Sequence, residues 1–264
     1  MPIAVDAFPT VGEAAAALLS TPQARFFGGG TILMRALNEA DPSIERIIRT
    51  ADPALREMRS AGGSVTLGAH VTMAAVAHHR DTAFLAPVAR VIGGPQVRSA
   101  ATVAGNLFAA APYGDFAAAL MALGASAELA DGRRIPVDDV IRNGARGIVA
   151  SVIVPIPRDG LLFKKVSRVR PKGVSVLSIA AHLPRQSGRV NGARIVLNGM
   201  GPRPARASAA EAALNGRPLE SSAIERAAQV AAEGFAPQDD PIATAWYRRE
   251  VAGVHLRRLL EGAR

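Results

Sequence analysis

Apolar and polar positions alternate along the 264 residues in short runs. Thr10-Val11-Gly12-Glu13 has the Thr-x-x-Glu form of a capping box and predicts a short helix over 14–19. Arg25-Phe26-Phe27 reads as a strand that stops at Gly28-Gly29-Gly30, after which residues 32–37 suit a helix and 44–48 a further strand. The next section opens with a strand over 64–69, with Val65 and Leu67 on one face, and Thr72 caps a helix to about 77. A helix over 85–92 follows, then an irregular Gly- and Pro-containing loop over 93–106. Pro112 suits the first turn of a helix running to 123. Residues 126–130, turned by Asp131-Gly132, look like half a hairpin, and 147–154 reads as another strand.

The pattern breaks at Val154-Pro155-Ile156-Pro157-Arg158-Asp159-Gly160, which places a domain boundary there. This gives 1–157 as one domain, in two parts of about 1–52 and 53–157, and 158–264 as a second. Beyond the break come three strand-like runs, 161–169, 174–183 and 189–197, with a Ser187-Gly188 turn before the last. Helical stretches follow at 207–214, 222–235 and 244–260. Strands followed by helices make the fold class α+β.

Composition narrows the function. Hydrophobic residues make up 49%, enough for a sizeable core, and no apolar run is long enough for a membrane span. The opening residues lack the pattern of a signal peptide, so a cytoplasmic location is expected. With no cysteine, the chain has no thiolate for zinc or an iron–sulfur cluster, and any such relay must sit on another polypeptide. The net charge of +9 is confined to one end: residues 1–157 hold 13 basic and 13 acidic side chains, residues 158–264 hold 18 and 9. A basic C-terminal part suits nucleic acid, an anionic partner face or a plain solvated surface. Aromatic residues are only 4% and do not interleave with the basic ones, which argues against base stacking and nucleic acid.

Two glycine loops carry the candidate chemistry. In Phe26-Phe27-Gly28-Gly29-Gly30-Thr31, three glycines free the backbone to turn its N–H groups inward as a seat for a pyrophosphate, with Thr31 adding a hydroxyl. A lone Gly-Gly-Gly is more often a tight strand-to-helix turn. The second loop runs from Ile92-Gly93-Gly94-Pro95-Gln96-Val97-Arg98 to Thr102-Val103-Ala104-Gly105-Asn106-Leu107. There Asn106, and Asp115 beyond it, suit ribityl or ribose hydroxyls, although each is also an ordinary turn former or surface charge. The dinucleotide fingerprint G-x-G-x-x-G, the P-loop, G-x-S-x-G and H-E-x-x-H are all missing. His78 and His79 are adjacent and point apart on a helix, so no metal site is expected.

Taken in order, these segments resemble the FAD-binding medium subunit of the molybdenum hydroxylase family, the group of xanthine dehydrogenase and carbon monoxide dehydrogenase. Gly28-Gly29-Gly30-Thr31-Ile32-Leu33 is similar to the family's Ala-Gly-Gly-Thr-Asp-Leu, and 92–98 with 102–107 to Ile-Gly-x-x-Gln-Ile-Arg and Thr-Ile-Gly-Gly-Asn-Leu. Ala111-Pro112-Tyr113-Gly114-Asp115 resembles Ser-Pro-x-x-Asp, Phe163-Lys164-Lys165-Val166-Ser167-Arg168 the start of the C-terminal domain, and Ala243-Thr244-Ala245-Trp246-Tyr247-Arg248-Arg249 the Ala-Ser-x-Tyr-Arg-Arg signature.

The resemblance implies a two-part FAD-binding domain of the PCMH type, then a CO dehydrogenase flavoprotein-like C-terminal domain with a three-stranded antiparallel sheet and helices. It implies FAD with its pyrophosphate on Gly28, Gly29, Gly30 and Thr31, beside Ile32. The flavin end lies near the second loop, where Ile92, Thr102, Gly105, Asn106 and Asp115 contribute. Lys164 stands where a family lysine nears the flavin, as a catalytic or electrostatic group; the chain has only three lysines, Lys164, Lys165 and Lys172, all within nine residues. The partners implied are a molybdenum-cofactor large subunit and a 2Fe-2S small subunit, with electrons leaving to NAD, a quinone or oxygen. Two positions depart from the pattern: Ile32 replaces a polar residue and Ala104 a glycine. They motivate an alternative, a stand-alone flavoprotein or a flavin-free assembly subunit of the same fold.

Overall fold

The computed structural model describes residues 3–169 and 173–263, so that Lys172 lies outside the described residues. Three layers, each built on a sheet of three or more strands, follow one another along the chain. The first is built from β1 (Ala4–Phe8), α1 (Val11–Leu19), β2 (Ala24–Phe26), α2 (Leu33–Asn38) and β3 (Arg46–Thr50). Strand β3 is central and pairs in parallel with both β1 and β2, an arrangement that needs the crossover connections α1 and α2 supply. The predicted capping box forms: Thr10 Oγ1 accepts from Glu13 N–H at 3.3 Å, and Glu13 Oε2 accepts from Thr10 N–H at 3.1 Å. Strand β1 was not foreseen, because its alternating half-buried and exposed residues carry little apolar signal. The core of this layer is small, formed by Ala14, Ala24 and Ile48 against Ile148.

The second layer comprises β4 (Met58–Ala61), β5 (Ser64–Gly68), α3 (Met73–His78), α4 (Ala86–Ala89), α5 (Pro95–Ala100), α6 (Val103–Leu107), α7 (Asp115–Ala122), β6 (Ser126–Leu129), β7 (Arg134–Pro136), α8 (Val137–Asn143) and β8 (Val149–Pro155). Its strands pair antiparallel in the order β4-β5-β8-β6-β7. Residues 93–106, expected as irregular, contain two short helices. Pro95 fits the first turn of α5, where its missing N–H goes unused, and Thr102 Oγ1 accepts from Gly105 N–H at 3.2 Å to cap α6. Helix α7 begins at Asp115, three residues after Pro112, and every one of its residues is buried.

The third layer holds β9 (Leu162–Val166), β10 (Leu177–His182), β11 (Arg185–Gln186), β12 (Arg189–Val190), β13 (Arg194–Asn198), β14 (Ala205–Arg206), α9 (Ser208–Leu214), α10 (Ser221–Gln229) and α11 (Ala245–Glu261). The antiparallel sheet has four strands, β14-β13-β10-β9, rather than the expected three. The addition, β14, is a two-residue edge strand, too short to register as an alternating pattern. Ser187 (φ 50°) and Gly188 (φ 76°) form the two-residue turn of the separate β11-β12 hairpin, both with the positive φ of a type I′ turn. Side-chain alternation gives this sheet two apolar faces. Ile179 and Leu197 pack with α9–α11, whereas Phe163, Ala180 and Val196 pack toward α7 and the second layer.

The α7 face of this sheet also carries a row of polar residues. Lys165, Ser178 and Asn198 are direct partners across β9, β10 and β13, and Asp115, 2% exposed, sits over them. The carboxylate accepts from Ser175 Oγ at 2.7 and 2.8 Å, Ser178 Oγ at 2.6 Å and Asn198 Nδ2 at 2.9 Å, and pairs with Lys165 Nζ at 3.0 Å. A buried carboxylate is tolerated only with such charge-assisted partners. Arg194 makes a second tie between the layers, donating to Met121 O at 2.8 Å and pairing with Asp138 at 2.9 Å. Asp115→Ala strands Lys165 without its counter-charge, and an unfolding free energy lower by about 3–5 kcal/mol is expected. Urea denaturation followed by circular dichroism measures it, and a midpoint equal to wild type would contradict the assigned role.

Candidate functional site

The first glycine loop leaves β2 and enters α2. Phe27 N–H still donates to Ile48 O at 2.8 Å, but the N–H groups of Gly28, Gly29, Gly30 and Thr31 have no intramolecular acceptor among the described residues. Consecutive free donors on a tight turn form a concave seat for an anion. Gly30 has φ 71°, and a Cβ there would meet the Phe27 ring at 2.7 Å. At Gly29 a Cβ would lie 1.8 Å from Ala100 O, and at Gly28 3.0 Å from Thr102 Oγ1. The two glycine loops, about seventy residues apart in sequence, therefore touch.

The second loop contributes differently. From Val103 to Asn106 its N–H groups are already used: Val103 donates to Val71 O, Ala104 to Ala69 O, Gly105 to Thr102 Oγ1 and Asn106 to Thr102 O. Among the described residues that line the cleft, the run of consecutive free backbone donors is therefore that of the first loop. From the second come the Thr102 hydroxyl proton and the Asn106 side chain, whose Oδ1 accepts from Ala117 N–H at 3.3 Å and leaves the Nδ2 protons for the cleft. Ala104 lies inside α6 and is not among the positive-φ residues, so its methyl is accommodated without backbone strain.

Between these loops runs a cleft of about 590 Å³, within the range of small-molecule and cofactor sites. Gly28, Gly29, Gly30, Thr31 and Ile32 line it from one side, and Thr102, Gly105 and Asn106 from the other. Ile32 and Phe108, 45% and 54% exposed, are large apolar side chains that also line it. A further stretch of wall is apolar, formed by Leu18, Ala24, Phe26 and Ile148. His70 lies there with its ring stacked on Phe26, centroids 5.7 Å apart and planes 18° from parallel. Burial, and then the nearby Arg56 guanidinium, hold the His70 imidazole below its ordinary pKa, so the ring is neutral at pH 7. Its Nε2 is shielded from water and has no partner.

Residues 7–157 match the family described as the FAD binding domain in molybdopterin dehydrogenase, and residues 162–263 match the CO dehydrogenase flavoprotein C-terminal domain. The chain belongs to this FAD-binding family. Among its relatives, the carbon monoxide dehydrogenase medium chain of Afipia carboxidovorans is 28% identical, covering 91% of this chain and 89% of the relative. The xanthine dehydrogenase FAD-binding subunit of Escherichia coli O157:H7 is 23% identical over 96% of this chain and 93% of that one. A solved carbon monoxide dehydrogenase from Hydrogenophaga pseudoflava, lacking the Mo-pyranopterin moiety, superposes with a TM-score of 0.90 at 27% identity, covering 100% of this chain and 97% of its own.

Family membership makes the chain an oxidoreductase subunit with FAD as its cofactor, and the site fits that group: a cleft of suitable size, a row of unused N–H donors and an unsatisfied ring nitrogen. Three residues singled out from sequence stand elsewhere. Ile92 is buried in the main core and outside the cleft wall, its carbonyl accepting from Arg98. Asp115 is likewise outside the wall, engaged with the third layer. Lys164 is exposed on the outer face of β9, near His255 of α11. It is Lys165, one residue on and therefore on the opposite face, that reaches inward, to Asp115 and to Val91 O at 3.0 Å. The β9 alternation holds the signal: Phe163 and Lys165 share the face turned to the second layer.

The C-terminal family signature is structural in this chain. Thr244 Oγ1 caps α11 by accepting from Tyr247 N–H at 3.1 Å. Arg248, 3% exposed, donates to Val176 O, Gln238 O and Ala243 O and pairs with Asp240 at 2.7 Å. Among the described residues no group of three or more His, Asp or Glu could hold a metal, and no helix is long and apolar enough to cross a membrane. Because a Cβ at Gly29 has no room against the Ala100 carbonyl, Gly29→Ala forces the loops apart. Loss of FAD retention is expected with the secondary structure intact, read as the flavin-to-protein absorbance ratio after gel filtration. A wild-type ratio would show that the loop contact is not needed for the cofactor.

Proposed function

We propose that this chain is the FAD-binding electron-transfer subunit of a multi-subunit molybdenum hydroxylase. It would take electrons from iron–sulfur clusters on a small 2Fe-2S subunit, beside a large subunit carrying the molybdenum cofactor, and release them to NAD, a quinone or oxygen. The observation that carries this reading is the run of four unused N–H groups from Gly28 to Thr31 along one wall of the cleft. They would hold the pyrophosphate by charge-assisted hydrogen bonds. The Thr102 hydroxyl and the Asn106 amide would meet the hydroxyls of the ribityl chain. Asn106 is itself oriented by Ala117 N–H, and Ile32 and Phe108 keep water from the flanks. When bound, FAD supplies the ability to exchange electrons singly or in pairs, and the protein supplies position and electrostatics.

The chain has no cysteine, so the clusters belong to another polypeptide. Its basic third layer would favour an anionic partner face. The alternative of a flavin-free subunit is less well supported, since Ala104 sits without strain and the cleft offers donors with no other acceptor. The test is an absorbance spectrum of the purified protein before and after added FAD, followed by dithionite. Flavin bands bleached by dithionite are expected, with molybdenum and iron–sulfur subunits co-purifying at low salt. A protein that shows no flavin bands even with excess FAD overturns the redox reading. One that keeps flavin but always purifies alone overturns the complex.

A further inference from the structure

We propose that His70 is a specificity-determining residue that reads the adenine half of the dinucleotide, offering a ring nitrogen to the purine edge while its stacking on Phe26 closes the wall. This rests on the FAD reading above and adds a residue to it. The Thr102 hydroxyl and Asn106 amide suit a polyhydroxyl chain, which places the flavin half of the ligand toward the second loop. With the pyrophosphate at Gly28–Thr31, the adenosine half falls to the remaining, largely apolar stretch of wall, where Leu18, Ala24, Phe26 and Ile148 provide contact and the polar side chains are those of His70 and of Arg25, whose Nη1 donates to Ala24 O at 3.1 Å. His70 is the imidazole of that stretch, and its Nε2 is a shielded polar atom with no partner in the protein. Burial of such an atom is unfavourable unless something bonds to it. A half-turn about Cβ–Cγ keeps the ring plane, and so the stacking on Phe26, while it exchanges the ring edges and carries the nitrogens to the other side. A purine edge presents both donors and acceptors, which a neutral imidazole complements.

The experiment titrates the full-length protein, freed of flavin, with FAD, ADP and FMN by calorimetry, in wild type, His70→Phe and His70→Asn. His70→Phe keeps an aromatic wall without a hydrogen-bonding atom, and it should weaken FAD and ADP about tenfold while leaving FMN within about twofold. His70→Asn, which regains a polar edge, should recover part of the loss. Unchanged FMN affinity guards against a folding defect. If wild type binds FAD and ADP but His70→Phe binds both equally well, the inference fails and the flavin reading stands. A wild type that ignores ADP and binds FAD no better than FMN also removes it. If wild type binds ADP but not FAD, with the His70→Phe loss intact, the purine reading survives and the flavin function falls. Binding of none of the three ligands overturns both.

Discussion

A carboxylate sealed from water at the start of α7 constrains the rest of this structure. Asp115 cannot be left ionised and unpartnered there, so the donors it needs must be supplied by whatever packs over it. They come from three adjacent strands and the segment before β10. Lys165, Ser178 and Asn198 stand side by side only because β9, β10 and β13 pair in one register. A one-residue slip of any one of these strands would send its member of the row to the opposite face, against α9–α11. The node therefore specifies how the third sheet lies on α7, quite apart from any net stability it contributes.

That docking reaches the cleft through the backbone. Helix α7 gives Ala117 N–H to Asn106 Oδ1, so the helix held by Asp115 also orients the polar side chain of the second glycine loop. The second loop in turn meets the first, with the Gly29 Cα packed against the Ala100 carbonyl. The cleft proposed to seat the cofactor is thus assembled from two layers, and the third layer steadies one of its walls without lining it. The inner lysine of β9 belongs to the same arrangement, bridging Asp115 and the Val91 carbonyl just ahead of the second loop.

Local chemistry was legible in the sequence, and relational chemistry was not. The Thr10 capping box, the Thr72 cap and the turn at Ser187-Gly188 act within four residues and could be read directly. The glycine loops were legible as candidates through their order along the chain, a lone Gly-Gly-Gly being more often a tight turn, but whether the N–H groups of 103–106 were used depended on partners as remote as Ala69 and Val71. Asp115 looked like a ligand for hydroxyls because nothing nearby in sequence announces Ser175 or Asn198. The choice between Lys164 and Lys165 turned on strand parity, which becomes decisive only once the face covered by α7 is known. Edge elements such as β1 and β14 carry too little apolar alternation to be seen. His70 escaped notice since its interest lies in a missing partner.

The modest interior of the first layer has a thermodynamic corollary. Ala14, Ala24 and Ile48 bury little apolar surface, and Ile148, from the segment before β8, completes that cluster. Residues 4–50 are thus joined to the remainder beside the very groove that a dinucleotide would fill. A ligand bridging that seam acts as mortar: at a hundred times its dissociation constant it adds about 2.7 kcal/mol to the closed state. Amide exchange in β1, β2 and β3 then becomes a gauge of occupancy, slow in the loaded protein and quickened wherever the groove stands empty.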